Sequence, residues 1–279
     1  MGEITEALRR ARELQRATEL PLPAIGGPES LRAATPPPAP RETVHLSLER
    51  DGAWPARAVV IDARGHLAEA MRHLALKIRA ELDRRRGRSV AVTSPLRGEG
   101  KTTLACDLAL ALASVTRGRS VALADFDLRS PSVAHHLGLR PAVGVESFLR
   151  GQARLEDVAL SIDKPALDVY PARTPEGEAH ELLVQPSLGI LARELERRYA
   201  TVVYDTPPTL LVPDTRILLQ HVPAYILVSR FGVTRQRSVR AMLELLPREP
   251  FLGGVLNGGP LPSHAASYGY YGAAPEREA

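Results

Sequence analysis

The residues best suited to chemistry are a lysine and two threonines that close a short glycine-containing loop. Residues 98–103 read Gly-Glu-Gly-Lys-Thr-Thr, after an apolar run at residues 89–93 and before a helical pattern. Gly98 and Gly100 let backbone N–H groups surround an anion, because no side chain stands in the way. The N-terminus of the following helix presents unpaired N–H donors to the same anion. The sequence therefore predicts a phosphate-binding loop.

This loop also predicts which side chains would contact a nucleotide. Lys101 would reach the β- and γ-phosphates, and Thr102 would offer its hydroxyl to Mg²⁺. Glu99 and Thr103 complete the set of loop residues that we expect around the nucleotide. The strict pattern has a glycine six residues before the lysine, where this chain has Pro95. The strand before the loop and the helix after it still favour a nucleotide site over a chance glycine-rich turn.

Three aspartates follow two apolar runs that are predicted strands. Asp125 and Asp127 end the run at residues 121–124, and Asp205 ends the run at residues 201–204. Because the carboxyl ends of parallel strands converge on a ligand crevice, we expect these carboxylates to face phosphates. They suit a divalent cation and a polarised nucleophile. Either Asp125 or Asp127 alone would be compatible with an ordinary turn.

Further candidates lie towards the C-terminus. Asn257 ends the last predicted strand, where it would either read the edge of an adenine ring or cap a turn. Tyr268, Tyr270 and Tyr271 follow it and make up three of the seven tyrosines. No periodic apolar pattern surrounds them, so a role in the core is not indicated. They are therefore candidate acceptors of a transferred group, unless their clustering is incidental.

The remaining pattern predicts the elements that position these residues. Apolar runs alternate with helical patterns along residues 59–260, which favours an α/β fold with a mostly parallel sheet and helices on both faces. A helix is predicted over residues 65–82 and another over residues 181–199, and Asp214 is a candidate N-cap of a third. The first helix has a predicted apolar stripe of Leu67, Ala70, Met71, Leu74, Ile78 and Leu82.

The segments outside this domain differ from it in composition. Residues 1–20 have the periodicity of an amphipathic helix. For this helix we favour a protein contact over a membrane surface, because its apolar face lacks aromatic residues. Residues 21–58 are rich in proline and predict an extended linker. Residues 261–279 predict a flexible tail that carries the tyrosine cluster.

Composition excludes several functional classes. Aromatic residues make up only 4% of the chain, which argues against a base-stacking surface, and no nucleic-acid partner is expected. The arginines of residues 84–88 fit a solvated helix end better than a nucleic-acid contact. The single cysteine, Cys106, excludes a disulfide framework and is predicted to be buried. Without a long apolar run or a secretory start, the chain is expected in the cytoplasm.

Three motifs together resemble the bacterial protein-tyrosine kinases of exopolysaccharide synthesis. They are the loop at residues 98–103, Ala-Asp-Phe-Asp-Leu-Arg-Ser-Pro at residues 124–131, and Asp-Thr-Pro-Pro at residues 205–208. These match the Walker A, Walker A′ and Walker B motifs of that family, whose P-loop fold is related to the MinD and ParA ATPases. The tyrosine cluster separates the family from those ATPases. The resemblance covers about residues 65–271, and the opening residues 4–11 are similar to the start of many Gram-negative autokinases.

The resemblance implies an ATP-dependent tyrosine autokinase with ATP and Mg²⁺ as cofactors. Lys101 would hold the phosphates, and Mg²⁺ would be bound by Thr102, Asp127 and Asp205. Asp125 would act as the base that orients a tyrosine hydroxyl, although the roles of Asp125 and Asp127 are exchangeable at this stage. The acceptors would be the clustered tyrosines of a neighbouring molecule.

The resemblance also implies partners. A membrane polysaccharide co-polymerase, which regulates chain length, would recruit the protein to the inner face of the cell membrane, and a phosphotyrosine phosphatase would reverse the reaction. The expected outcome is regulation of polysaccharide polymerisation and export. In the family, a Glu-x-x-Arg-x-x-Arg motif supports ring assembly. Glu69 and Arg72 match it and would pair, whereas the third position is Ala75.

Two alternatives use the same loop. One is a positioning ATPase of the ParA and MinD kind, and the other is a nucleotide-binding regulator without catalysis. Those ATPases have a signature lysine early in the loop, but this chain has Pro95 there and Arg97 nearby. The missing lysine favours the kinase.

Overall fold

The structure, a computed structural model, describes residues 42–44, 66–116, 118 and 120–259. Within these ranges the chain forms the predicted α/β arrangement of a mostly parallel sheet with flanking helices. The strands are β1 (Glu42–Val44), β2 (Ser89–Thr93), β3 (Val121–Asp125), β4 (Leu160–Ile162), β5 (Leu167–Tyr170), β6 (Thr201–Asp205), β7 (Tyr225–Arg230) and β8 (Phe251–Asn257). The helices are α1 (His66–Arg85), α2 (Lys101–Val115), α3 (Val133–His136), α4 (Val145–Leu149), α5 (Leu155–Val158), α6 (Ala179–Leu183), α7 (Pro186–Arg198), α8 (Asp214–Leu218) and α9 (Gln236–Leu245).

The strand order explains why the motifs meet. In the described part of the chain the sheet has eight strands in the order β1-β4-β5-β3-β6-β2-β7-β8. All neighbouring pairs are parallel except β4 and β5. The central strands β3, β6 and β2 therefore end at the same edge. In the register of the sheet, Asp125 lies opposite Asp205, which in turn lies opposite Val92.

Apolar side chains cover both faces of the sheet, as the alternation along β2 shows. Val90 and Val92 pack in one cluster with α1 and α2, whereas Ala91 belongs to the cluster on the other face with α4, α6 and α7. This follows from the period of two residues in a strand. Helix α2 is buried from Leu104 to Ala113, and Cys106 is buried as predicted. The glycine loop is therefore attached to a helix inside the core.

Helix α1 buries Met71, Ile78 and Leu82 of the predicted stripe, but not its first residues. Leu67 is 48% exposed and Ala70 is also exposed, whereas Ala68 and Ala75 are fully buried. The prediction was wrong at Leu67 and Ala70. With 3.6 residues per turn, the buried stripe begins at Ala68 and Met71, one position further along the helix than Leu67 and Ala70. The buried line is Ala68, Met71, Ala75, Ile78 and Leu82. The predicted pair of Glu69 and Arg72 forms on the exposed side.

The single helix predicted over residues 181–199 is wrong, because the structure has two helices there. Helix α6 ends at Leu183, and α7 begins at Pro186. Gln185 between them has an extended backbone with φ −73° and ψ 151°. A residue before proline avoids the helical region, while proline itself is favoured in the first turn. The proline therefore ends one helix and begins the next.

Several predictions lie outside the described residues. These are the helix at residues 1–20, most of the linker at residues 21–58, and the tail at residues 261–279. Within the linker span, β1 pairs with β4 and joins the sheet, which composition alone did not predict. None of the helices that the structure describes combines the length and apolar character needed to cross a bilayer.

Candidate active site

The loop between β2 and α2 has the backbone that its glycines predict. Gly98 and Gly100 have φ values of 76° and 92°, in the left-handed region that glycine enters without steric cost. Helix α2 begins at the next residue, Lys101, so the loop and the N-terminal donors of the helix form one anion-binding turn. A β-carbon on Gly100 would lie only 2.1 Å from Nδ2 of Asn257. Position 100 therefore accepts only glycine unless Asn257 moves.

Glu99 ties this loop to the neighbouring strands. Its side chain is buried, with Oε2 accepting the N–H of Leu96 at 2.7 Å and Oε1 accepting the hydroxyl of Thr234 at 2.5 Å. Asn257 Nδ2 donates to the carbonyl oxygen of Glu99 at 3.1 Å. Glu99 and Asn257 thus hold the loop in place, a function that the sequence did not indicate for Glu99.

Lys101 lies against the predicted carboxylates. Its Nζ is 3.0 Å from Oδ2 of Asp127, and both side chains are largely buried. Burial disfavours the charged ammonium, but the carboxylates of Asp205 and Asp127 outweigh it, so the pKa of Lys101 is raised. The lysine therefore keeps the positive charge that a phosphate would require.

The Asp125 carboxylate organises the loop after β3. This residue is fully buried. Its Oδ1 accepts the N–H of Asp127, and its Oδ2 accepts the N–H groups of Ser132 and Val133, all at 3.1 Å. Burial and the neighbouring Asp205 raise the pKa of Asp125 well above its usual range. Both oxygens of this carboxyl group are occupied by the backbone.

Asp205 is the counterpart with no such partners. It is fully buried, and neither of its carboxyl oxygens has a hydrogen-bond partner among the described residues. Burial raises the pKa of Asp205 to about 7, although the charge of Lys101 and the nearby Thr102 hydroxyl, which lies outside standard hydrogen-bond geometry, act in the opposite direction. An unpartnered buried carboxyl group is costly, and a bound cation would satisfy it.

The oxygen donors around Asp205 fit Mg²⁺. The Thr102 hydroxyl accepts a hydrogen bond from Ser132 Oγ at 3.2 Å, and Asp127 adds a second carboxylate. No group of three or more His, Cys, Asp or Glu side chains with metal-binding geometry occurs in the described ranges. Mg²⁺ in nucleotide sites is commonly held by one or two carboxylates together with water and phosphate oxygens. The residues present therefore suit Mg²⁺ delivered with a nucleotide.

A cavity of about 410 Å³ opens beside the loop. Two of its lining residues, His136 and Arg230, were not predicted. His136 Nε2 lies 3.3 Å from Thr103 Oγ1, and Arg230 Nη1 donates to the carbonyl of Gly98 at 3.1 Å. Neither residue belongs to a recognised sequence motif. The one indication in the sequence that either would reach the site was the position of Arg230 at the end of a strand. The full lining is Gly98, Gly100, Lys101, Thr102, Thr103, His136, Arg230 and Asn257.

Arg129 and Asp214 join the loops around the site. Arg129 Nε donates to Oδ2 of Asp214 at 2.8 Å, and its Nη1 donates to the carbonyl of Gly177 at 2.8 Å. The Asp214 side chain is fully buried. The predicted N-cap function of Asp214 is wrong, because α8 begins at Asp214 with Pro213 as its N-cap. The carboxylate instead pairs with Arg129.

The structure brings the predicted loop residues 98–103 together with Asp125, Asp127, Asp205 and Asn257 at one edge of the sheet. The tyrosine cluster lies outside the described residues.

No protein-family model matches the chain. The tyrosine-protein kinase YwqD of Bacillus subtilis is 35% identical over 195 residues, which cover 69% of this chain and 81% of YwqD. The chain belongs to the family of bacterial tyrosine-protein kinases.

Solved structures agree with this assignment. The kinase domain of VpsO matches with a TM-score of 0.62 and 34% identity, covering 69% of this kinase and 95% of that chain. MinD of Pyrococcus horikoshii, complexed with Mg-ADP, matches with a TM-score of 0.52 and 23% identity, covering 65% of this kinase and 76% of MinD. At that identity MinD shows a shared fold only. The kinase spans 24% of the length of some larger curated relatives. The resemblance inferred from the three motifs is confirmed.

Proposed function

We propose that this kinase transfers the γ-phosphoryl group of ATP to Tyr268, Tyr270 and Tyr271 of a neighbouring molecule. The observation that carries the proposal is the buried cluster beside the glycine loop. In it a protonated Lys101 faces Asp127, and Asp205 lies next to them without a hydrogen-bond partner. Phosphoryl transfer depends mainly on positioning and charge neutralisation, and this cluster supplies both.

The loop and Lys101 would hold the phosphates, while the carboxylates would hold the metal. When bound, Mg²⁺ would neutralise charge that develops on the transferred group. Thr102 and Asp205 are the residues that would hold Mg²⁺, with Asp127 beside them. The backbone N–H groups around Gly98 and Gly100 would donate hydrogen bonds to phosphate oxygens. Asn257 would act by holding the loop in shape.

We assign the orientation of the tyrosine hydroxyl to Asp127 and the organisation of the loop to Asp125. This moves the function of the base, expected at Asp125 from the resemblance, to Asp127, and gives Asp125 a structural function instead. Asp125 is fully buried and already accepts three backbone N–H groups, so it is poorly placed to reach a substrate hydroxyl. Asp127 lies at Lys101 and accepts only one backbone N–H through Oδ1, that of Ser130 at 3.2 Å.

Two isosteric variants test this assignment. In Asp125→Asn, an amide NH₂ replaces an acceptor that serves backbone N–H groups, so we expect a lower melting temperature. In Asp127→Asn, Lys101 keeps Asp205 as a counter-charge, so we expect a smaller fall in melting temperature than in Asp125→Asn, together with loss of phosphoryl transfer by about 10²-fold or more. Equal loss of stability in both variants would contradict the assignment.

The cellular function that we propose is control of exopolysaccharide polymerisation and export. Family membership supports it. The partners would be a membrane polysaccharide co-polymerase at the inner face of the cell membrane, further copies of the kinase, and a phosphotyrosine phosphatase. A ring would have to form through Glu69 and Arg72 without an arginine at the third motif position, which is the fully buried Ala75.

A mixing experiment tests the transfer itself. One protein carries Lys101→Met and keeps the tyrosines, and the other keeps Lys101 but has all three clustered tyrosines changed to Phe. Each is incubated with Mg²⁺ and ATP labelled at the γ-phosphate, alone and together. We expect label only in the mixture, on the Lys101→Met protein. The unmodified protein is incubated in parallel, and phosphate release from ATP without label on that protein would refute the kinase reaction and favour an ATPase.

A further inference from the structure

A second cavity lies at the edge of the sheet opposite the candidate active site. Its volume is about 570 Å³, which exceeds that of the nucleotide cavity. It forms where the turns that precede β2, β7 and β8 meet the C-terminal end of α7. Residues 85–88, 219–223 and Pro250 line it together with Glu196 and Arg197. Because β2, β7 and β8 are parallel, their starting ends meet at this edge.

The lining is strongly basic. Two of its arginines form ion pairs with glutamates that do not line the cavity. Arg85 Nε lies 2.9 Å from Glu81 Oε1, and Arg197 Nη2 lies 2.8 Å from Glu194 Oε1. The acidic side chain of the lining, Glu196, accepts a hydrogen bond from the Ser89 hydroxyl.

Two further arginines in this lining are left without an acidic partner. Arg88 donates to the backbone carbonyl of Glu196 at 3.1 Å. Neither Arg86 nor Arg88 forms an ion pair within the part of the chain that the structure describes. Among the described residues, therefore, no carboxylate pairs with either guanidinium group.

Arg86 occupies a position where the backbone favours glycine. Its φ is 54°, and it is the one non-glycine residue with positive φ in the described ranges. The N–H of Arg86 bonds to the carbonyl of Asp83 at 3.1 Å, and the N–H of Gly87 bonds to that of Leu82 at 2.9 Å. These two bonds define a Schellman end of α1, in which glycine is the usual residue at the position of Arg86. An arginine that keeps a strained backbone conformation and forms no ion pair with the described residues points to a use for its charge.

We propose that this basic pocket, formed around Arg86 and Arg88, binds a phosphotyrosine of the kinase's own C-terminal segment. The proposal rests on the proposed autophosphorylation. Guanidinium groups match the geometry of phosphate oxygens and bind them through charge-assisted hydrogen bonds. Each phosphotyrosine brings a charge of about −1.5 to −2 to the pocket.

The reach of the chain fits this occupant. Pro250 lies directly before β8, whose seven residues span roughly 23 Å to the other edge of the sheet. From Gly259, the last described residue, nine residues lead to Tyr268 and twelve lead to Tyr271. An extended chain of these lengths covers roughly 30 to 40 Å. The segment is therefore long enough to return along β8 to the pocket.

Peptide binding to the full-length Lys101→Met protein tests the proposal. A fluorescent peptide of residues 263–275, phosphorylated on its three tyrosines, is titrated and its anisotropy measured. We expect Arg86→Gly combined with Arg88→Gln to weaken binding by at least about tenfold, because charge-assisted hydrogen bonds are lost. The matched control Arg140→Gln, an exposed arginine outside the pocket, should bind like the parent. Unchanged affinity in the double variant would overturn the proposal.

Folding and charge effects are separated by further measurements. Arg86→Gly relieves the left-handed backbone, so its melting temperature should stay equal or rise, and a weaker peptide affinity would not reflect unfolding. The unphosphorylated peptide, inorganic phosphate, and an oligothymidine of equal charge should each bind at least about tenfold more weakly. Equal binding of any of them would overturn a phosphotyrosine site. Because the phosphopeptide is synthetic, this outcome does not depend on whether the kinase labels its own tail.

Discussion

Replacing Gly100 by alanine tests the geometry on which the active site depends. The residue has a φ of 92°, and its β-carbon would lie 2.1 Å from Nδ2 of Asn257. A left-handed backbone costs a non-glycine residue about 1–2 kcal/mol. Alanine also lowers the conformational entropy of the unfolded chain, which offsets about 0.5 kcal/mol of this cost. Asn257 must also move and give up its hydrogen bond to Glu99, worth about 1 kcal/mol. We expect Gly100→Ala to lower the free energy of unfolding by about 2 kcal/mol.

The same reasoning predicts how the effects combine. Asn257→Ala alone should cost about 1 kcal/mol, because only the hydrogen bond to Glu99 is lost. In the double variant the new β-carbon at position 100 no longer has the Asn257 amide in its way, so only backbone strain is added to the cost of Asn257→Ala. The two substitutions should therefore couple by about 1 kcal/mol. Urea denaturation of the four proteins measures this coupling, and binding of a fluorescent ATP analogue should weaken most in Gly100→Ala.

Gly98 supplies the matched control. Its φ is 76°, but a β-carbon there would meet no atom within 4 Å. Gly98→Ala should therefore show the strain alone and should be additive with Asn257→Ala. Additive costs for Gly100→Ala and Asn257→Ala, within about 0.3–0.5 kcal/mol, would refute the proposed contact.

Three further substitutions follow from buried or strained groups. Burial raises the pKa of Asp107 to about 7, so the folded state holds a proton that the unfolded state loses, and the free energy of unfolding falls as pH rises from about 4 to 7. Asp107→Asn should make the free energy of unfolding less dependent on pH in urea titrations at pH 5 and pH 8. An unchanged pH dependence in this variant would contradict the prediction. Arg129→Ala leaves the buried Asp214 carboxylate unpaired and should cost about 3 kcal/mol in thermal unfolding, most of which should return when Asp214→Asn is added. Arg86→Gly should stabilise the protein by about 0.5–1 kcal/mol, because glycine tolerates the left-handed end of α1; a lower urea midpoint would show that the side chain stabilises the fold.

The parts of the site that could be predicted from sequence depend on neighbours along the chain. The glycine loop is local, and its glycines directly determine the backbone it can adopt. The meeting of Asp125, Asp127 and Asp205 follows from one general property of parallel sheets, once the strands are recognised. The α/β class follows in the same way from alternating strands and helices.

The parts that were missed depend on contacts between distant segments. Glu99 belongs to the loop motif, but its function is set by Thr234 and Asn257, which only the folded sheet brings near it. His136 and Arg230 reach the cavity for the same reason. The pairing of Arg129 with Asp214 also joins residues far apart in sequence, and it displaced the simpler N-cap interpretation.

The error in α1 has a different origin. The apolar residues of α1 are numerous enough to define two adjacent stripes. The alanines that face the core contribute little to a hydropathy pattern. By contrast, the break before Pro186 was visible in the sequence, because proline disfavours a helical residue ahead of it. That boundary was missed by weighting leucine spacing above backbone chemistry.

The order of the strands also separates the two ends of the described domain. β1 and β8 are the outermost strands of the sheet, so seven strand-to-strand steps of about 4.8 Å lie between them, roughly 34 Å in all. The residues before Glu42 and those after Asn257 therefore join the sheet on opposite flanks. Within one molecule, a contact that engages both β1 and β8 would therefore have to span the whole sheet, and β2, which leads into the glycine loop, lies between them.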